Sequence, residues 1–161
     1  YKLIDEFLLF YFSKMRPLLE QIDTNTRRNL FNDLVRPTFT PWLGLAFERF
    51  CIRNIDLIAK HLKIENQVLK QGPLFSKPKG YQFDIAFIRK DHVVTLGEVK
   101  FWTQPVGVEV IKEMDQKIRK YSPPKGYSIQ KVLITVNGAT QPVHDLEFFD
   151  EILELKDFFQ P

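Results

Sequence analysis

A single cysteine, Cys51, has no partner within the chain, which excludes an internal disulfide framework and any multi-cysteine zinc site. Its place in a helical apolar pattern marks it as a core residue. Histidine is nearly as scarce. His61, His92 and His144 fall at a helix end, in a turn and in a loop, none with a partner at ligand spacing, and all three are expected at the surface. No G-x-S-x-G elbow and no cysteine–histidine pairing supports covalent catalysis. No G-x-x-x-x-G-K-[ST] occurs either, so nothing in these 161 residues can cradle a triphosphate. Long apolar runs are also missing. The densest, Phe7-Leu8-Leu9-Phe10-Tyr11-Phe12, is hemmed in by Asp5, Glu6, Lys14 and Arg16 and falls well short of the roughly 20 residues a bilayer span requires. It reads as an amphipathic helix burying its aromatics, with Pro17 weakening its last turn. No membrane partner is expected, and the lack of a secretory leader points to the cytoplasm. A start at Tyr1 without an initiator methionine leads us to expect more protein upstream. Repeats, low-complexity tracts and linkers are absent from the sequence.

What is present is a globular composition, 44% hydrophobic and 14% aromatic, in a length that suits one domain with a proper core. A net charge of +3 permits a polyanion partner without demanding one. Asn25 to Val35 forms a polar helical stretch in which Arg27 and Arg28 read as a solvated face. Thr40-Pro41 has the chemistry of an N-cap followed by proline at the first helical position, so a long helix is expected from there to about Leu62. Leu43, Phe47, Phe50, Ile58 and Leu62 make its apolar stripe. Glu48 lies on the flank of that stripe with Leu45, Ile52 and Ile55. A short strand near Val68 to Leu74 precedes the Lys77-Pro78-Lys79-Gly80 turn. Val106 to Tyr121 is helical in period, with Val110 and Met114 inward and Gln116, Lys117, Arg119 and Lys120 in the last turns, where cations suit the helix dipole. Lys131 to Val136 is a buried strand ended by Asn137-Gly138. Val143 to Phe149 reads as a short helix and Ile152 to Leu155 as an edge strand.

The chain is organised around the stretch from Phe83-Asp84-Ile85 to Glu98-Val99-Lys100. Two strands joined at Arg89-Lys90-Asp91-His92 form a hairpin whose faces are both apolar: Phe83, Ile85 and Phe87 on one, Ala86, Ile88, Val94 and Leu96 on the other. Such strands belong in the middle of a sheet covered by helices. With the turn centred on Asp91, Ile88 faces Val94, Ala86 faces Leu96, and Asp84 faces Glu98. Lys100, two residues beyond Glu98, points the same way. The order of elements is α/β with a mixed sheet.

Charges set into such a pattern are costly to bury unless they are paired or bind a cation. A hard divalent ion such as Mg²⁺, with Mn²⁺ as substitute, takes oxygen ligands, and Asp84, Glu98 and the backbone carbonyl of Val99 would supply them. Lys100 is not a ligand. It would orient or help deprotonate an attacking water and offset charge on a pentavalent phosphorane, which is the chemistry of phosphodiester hydrolysis.

Helical Glu48, hairpin Asp84 and Glu98-x-Lys100, followed by a helix and a strand, closely resemble the PD-(D/E)xK nuclease superfamily. More narrowly, several segments together resemble the nuclease-like C-terminal domain of prokaryotic, archaeal-type AAA ATPases. They are Asp5 to Phe12, Gly44-x-x-Phe47-Glu48, Gln82-Phe83-Asp84-Ile85, Gly97-Glu98-Val99-Lys100-Phe101, Ile134-Thr135 and Leu155-x-Asp157-Phe158-Phe159. Phe83 stands where the superfamily's name-giving proline would be. The resemblance implies a restriction-endonuclease-like α/β fold, with a central mixed sheet of four to five strands flanked by helices. Residues 1–38 would be an N-terminal helical extension packed on the core and 39–161 the nuclease-like domain. It implies Glu48, Asp84 and Glu98 as metal-binding acids, Lys100 as the catalytic lysine, and Gln116 or Tyr121 as auxiliary residues. Lys77, Lys79, Lys117 and Lys120 are the candidate nucleic-acid contacts, although the two turn lysines suit water as well. The implied function is Mg²⁺-dependent hydrolysis of DNA, with a homodimer and an ATPase module, upstream or in trans, as conceivable partners. The alternative is a nuclease-like domain that binds DNA or regulates an ATPase without turnover.

Overall fold

The computed structural model describes residues 5–24 and 29–159. Arg27 and Arg28 lie outside them. The chain divides into two compact units, one ending at Ala46 and the other beginning at Phe47, inside a single helix.

In the first unit Asp5 caps α1 (Glu6–Phe10) by accepting a hydrogen bond from the Leu8 N–H at 2.8 Å. The helix widens to a π-type turn over Tyr11–Met15 and tightens to a 3₁₀ turn over Arg16–Leu18, before α2 (Leu19–Asp23). The tightening falls at Pro17, which has no N–H to continue the ladder. Phe10 packs edge-on against Phe39 and Trp42, whose rings stack on each other with centroids 5.9 Å apart. The expectation that this helix buries its aromatics is met for Phe10 only in part and fails for Phe7 and Phe12, which are exposed. A short α-helix cannot turn six consecutive apolar residues to one side.

The expected N-cap at Thr40 is not one. The helix α3 runs Arg36–Arg53, through Pro37 and Pro41, and follows directly on a π-type turn over Phe31–Val35. That wide turn makes room for the Pro37 ring against the preceding carbonyls, so the proline is absorbed instead of starting a new helix. Nor does the helix reach Leu62. Asn54 turns its amide back to donate to the Phe50 carbonyl at 2.8 Å and adopts φ −103°, ψ 29°, ending α3 and starting α4 (Ile55–His61).

The second unit is a mixed five-stranded sheet in the order β1-β2-β3-β4-β5, formed by Val68–Ser76, Tyr81–Arg89, Val93–Lys100, Ser128–Thr135 and Glu151–Glu154. The first three strands are antiparallel. β3, β4 and β5 are parallel, with α5 (Glu109–Lys120) crossing from β3 to β4 and α6 (Gln141–Asp145) from β4 to β5. Phe47, Cys51, Ile55 and Ile58 cover one face against Ile85, Phe87, Val132 and Ile134, with Phe158 joining them. Val106, Val110, Met114 and Val143 cover the other against Ala86, Val94, Leu96 and Leu133. This is the expected α/β architecture, a mixed five-stranded sheet flanked by helices, with a helical N-terminal part. Among the described residues no helix is long and apolar enough to cross a membrane.

The hairpin register is the expected one: Ile88 pairs with Val94, Phe87 with Thr95, Ala86 with Leu96 and Ile85 with Gly97. A Cβ on Gly97 would stand 3.3 Å from the Cβ of Ile85, so glycine lets the two strands approach closely just before Glu98. One detail departs from expectation. On the β1 side, Gly72 pairs with Ala86 but Leu74 with Phe83, so Asp84 and Ile85 together face only Pro73. Pro73 has no N–H to donate to the ladder, and Gly72 at φ 141° supplies a backbone shape open to glycine. The bulge reverses the alternation. Phe83 therefore packs with Ala86, Val94 and Leu96 in the second core and does not share a face with Ile85 and Phe87.

Candidate active site

The bulge places Asp84 where the β2–β3 ladder ends. Pairing with β3 stops at Ile85–Gly97, one step short of the expected Asp84–Glu98 pair. The Asp84 side chain closes the gap by accepting a hydrogen bond from the Val99 N–H at 2.9 Å. Burial, then the neighbouring charge of Glu98, and then that of Glu48 push its carboxyl up to about 6, with the Val99 N–H and Lys117 working in the opposite direction. The buried Cys51 senses the same charges. Burial, Asp84 and Glu48 raise its thiol to about 12, which makes it an inert core thiol.

Glu98 is only 2% exposed and carries two lysines. Lys117, from the last turn of α5, donates to both of its oxygens, at 2.7 Å and 2.5 Å. Lys100 stands 3.1 Å from the Glu98 Oε1 and donates to Glu113 at 2.7 Å. Burial works against the Lys100 ammonium, but the hydrogen bond to Glu113 and the charge of Glu98 outweigh it, so its pKa lies above that of an ordinary lysine. Glu113 is the residue that sequence reasoning missed. It precedes Lys117 by four positions, the spacing that puts both on one face of α5, and that spacing was the available signal. Lys117, one of the candidate nucleic-acid contacts, is bound to Glu98 in this structure.

The remaining candidates are more dispersed. Glu48 lines a groove of about 590 Å³ with Ile52, Phe75, Lys77, Tyr81 and Gln82. Lys77 and Lys79 are exposed in the turn after β1, and Lys120 reaches back from α5 to the Gly80 carbonyl of that turn at 3.3 Å. These three lysines make a basic lip beside the groove. Gln116 is exposed on α5 and makes no hydrogen bond to the acids. Tyr121, at the end of α5, packs edge-on against Tyr81 and Phe83. Burial, then Tyr81, raises its hydroxyl pKa. Among the described residues no three His, Cys, Asp or Glu side chains stand close enough to hold a metal ion as they are. The donor set still has the chemistry of one: two carboxylates that feel each other's charge, one of them driven toward its neutral form by burial and by its acidic neighbours, and an ammonium seated where a cation would meet Glu98.

The raised Asp84 pKa has a thermodynamic consequence. The folded protein binds this proton more tightly than the unfolded chain, whose carboxyl stays near 3.8. The associated stability is complete below about pH 4 and is lost as pH rises through about 6. Asp84→Asn cannot titrate and is therefore expected to gain on the native protein by up to about 3 kcal/mol between pH 4 and pH 7. Urea midpoints at the two pH values measure this gain, and an equal difference at both would contradict it.

No family model and no curated protein matches the sequence. Among solved structures, a repair endonuclease from Pyrococcus abyssi is similar over 63% of this chain and 44% of its own, at 16% identity and a TM-score of 0.43. The chain thus corresponds to less than half the length of that endonuclease.

Proposed function

We propose that this chain is a metal-dependent nuclease that hydrolyses phosphodiester bonds, with DNA as its substrate. The carrying observation is the cluster at the end of β3: a fully buried glutamate flanked by two lysines, next to an aspartate whose carboxyl is raised to about 6 by burial and by its acidic neighbours. A structural salt-bridge network has no use for a second carboxylate that its cations do not satisfy. A cation-binding site does. Asp84, Glu98 and the carbonyl of Val99 would hold Mg²⁺ or Mn²⁺, with Glu48 contributing from the groove side. When bound, such an ion supplies Lewis acidity toward a phosphoryl oxygen and toward water.

The chain's own residues do the rest. Lys100 stays an ammonium because Glu113 and Glu98 hold its proton, so it stabilises negative charge developing on the phosphoryl group and positions the attacking water. Lys77, Lys79 and Lys120 line the approach and neutralise backbone phosphates.

Plasmid and linear DNA are expected to be cut in Mg²⁺ or Mn²⁺ and left intact in EDTA. Cutting should decline as pH falls through about 6, where a proton occupies Asp84. Intact DNA under all these conditions would overturn the proposal. It would favour a second reading that the Lys117–Glu98 pair also supports: a nuclease-like module that binds DNA, or regulates a partner ATPase, without turnover.

A further inference from the structure

Lys117 spends two of its three N–H donors on the two oxygens of Glu98, at 2.7 Å and 2.5 Å. Lys100 stands 3.1 Å from one of the same oxygens. A divalent ion needs at least one of these oxygens as a ligand, and an ammonium cannot share that approach with a dication. A dication and the Lys117 ammonium therefore compete for Glu98. Lys117 is the one able to leave, because it sits in the last turn of α5 with its side chain 26% exposed, while Lys100 belongs to the strand and is tied to Glu113. Once released, its charge lies on the same helix end as Lys120, whose ammonium reaches the carbonyl of Gly80 at the edge of the groove.

We propose that Lys117 is a resident cation gating the metal site: it neutralises Glu98 until a divalent ion displaces it, and it then meets a phosphate of the substrate. This rests on the nuclease reading above and adds a linkage to it. An ion and a polynucleotide help each other bind, because each takes one half of the Lys117–Glu98 pair, and the coupling is reciprocal. The free protein thus holds Mg²⁺ weakly and loads it with substrate.

Calorimetric Mn²⁺ titrations of the native chain, of Lys117→Met and of Lys120→Met test this. Lys117→Met is expected to bind Mn²⁺ at least about tenfold more tightly than the native chain, and Lys120→Met, which removes the same charge from the same helix, to bind as the native chain does. A phosphorothioate oligonucleotide that resists cleavage should strengthen Mn²⁺ binding to the native chain and leave that of Lys117→Met unchanged. Equal Mn²⁺ binding by native and Lys117→Met proteins overturns the gate alone. Binding by neither overturns the nuclease reading and the gate with it. Should Lys117→Met fail to fold, the Nζ resonance of Lys117 in ¹⁵N-lysine-labelled native protein gives the answer. Its movement on saturation with Mg²⁺ supports displacement, and an unmoved resonance in the Mg²⁺-bound protein refutes it.

Discussion

Lys100→Ala is expected to lower Mn²⁺-supported DNA cleavage by about 10²–10³-fold while leaving the fold in place. The magnitude is that of removing one preorganised charge aimed at a developing oxyanion in a water-poor site. Lys100 qualifies on both counts: its side chain is 19% exposed, and its ammonium is held by Glu98 at 3.1 Å and Glu113 at 2.7 Å. The fold survives because Glu98 keeps Lys117 as a partner, so the substitution leaves no bare buried charge. Lys100→Arg, which keeps the charge in a rigid planar fork, should restore only part of the rate. Single-turnover cleavage alongside a thermal melt separates these outcomes. Full activity in Lys100→Ala would remove the residue from the reaction.

Phe83→Ala is expected to be the most destabilising single change near the site, at about 3–5 kcal/mol. The ring is fully buried and packs against Tyr81 and Tyr121 with centroids 5.7 Å and 5.8 Å away. For a chain of this length the melting temperature should fall by roughly 10 °C. Because the bulge turns Phe83 into the second core, a double-mutant cycle should show coupling to Met114 on α5 and none to Phe87 on the opposite face. Coupling to Phe87 would mean that the strand alternates without a bulge.

Much of this architecture was legible because period-two and period-3.6 patterns are local. The hairpin register followed from one turn and the alternation on either side of it, and the buried strand at 131–136 and the amphipathic helix after the hairpin followed from their own spacing. Where reading failed, a distant or a compensating residue decided. Pro37 and Pro41 normally interrupt a helix, but a widened turn upstream absorbed the first and the helix ran on through the second. The bulge at Asp84-Ile85 depends on Pro73, a residue on the neighbouring strand, and no pattern within β2 announces it. The partnership of Lys117 with Glu98 is likewise a contact between a helix and a strand. Only the spacing of Glu113 and Lys117 hinted that this helix face carried charge inward. Lys100 and Glu98 pair on β3, and the charges of Glu98 and Glu48 reach Asp84, but the further ion-pair partners, Glu113 and Lys117, come from α5.

The central claim, that Asp84 and Glu98 hold a divalent ion, is tested most directly by anomalous diffraction from crystals soaked in Mn²⁺. The account predicts a single manganese peak about 2.1 Å from a carboxylate oxygen of each residue, with the Lys117 ammonium withdrawn from Glu98. Lys117 still seated on Glu98, with no manganese between the two acids, would contradict it.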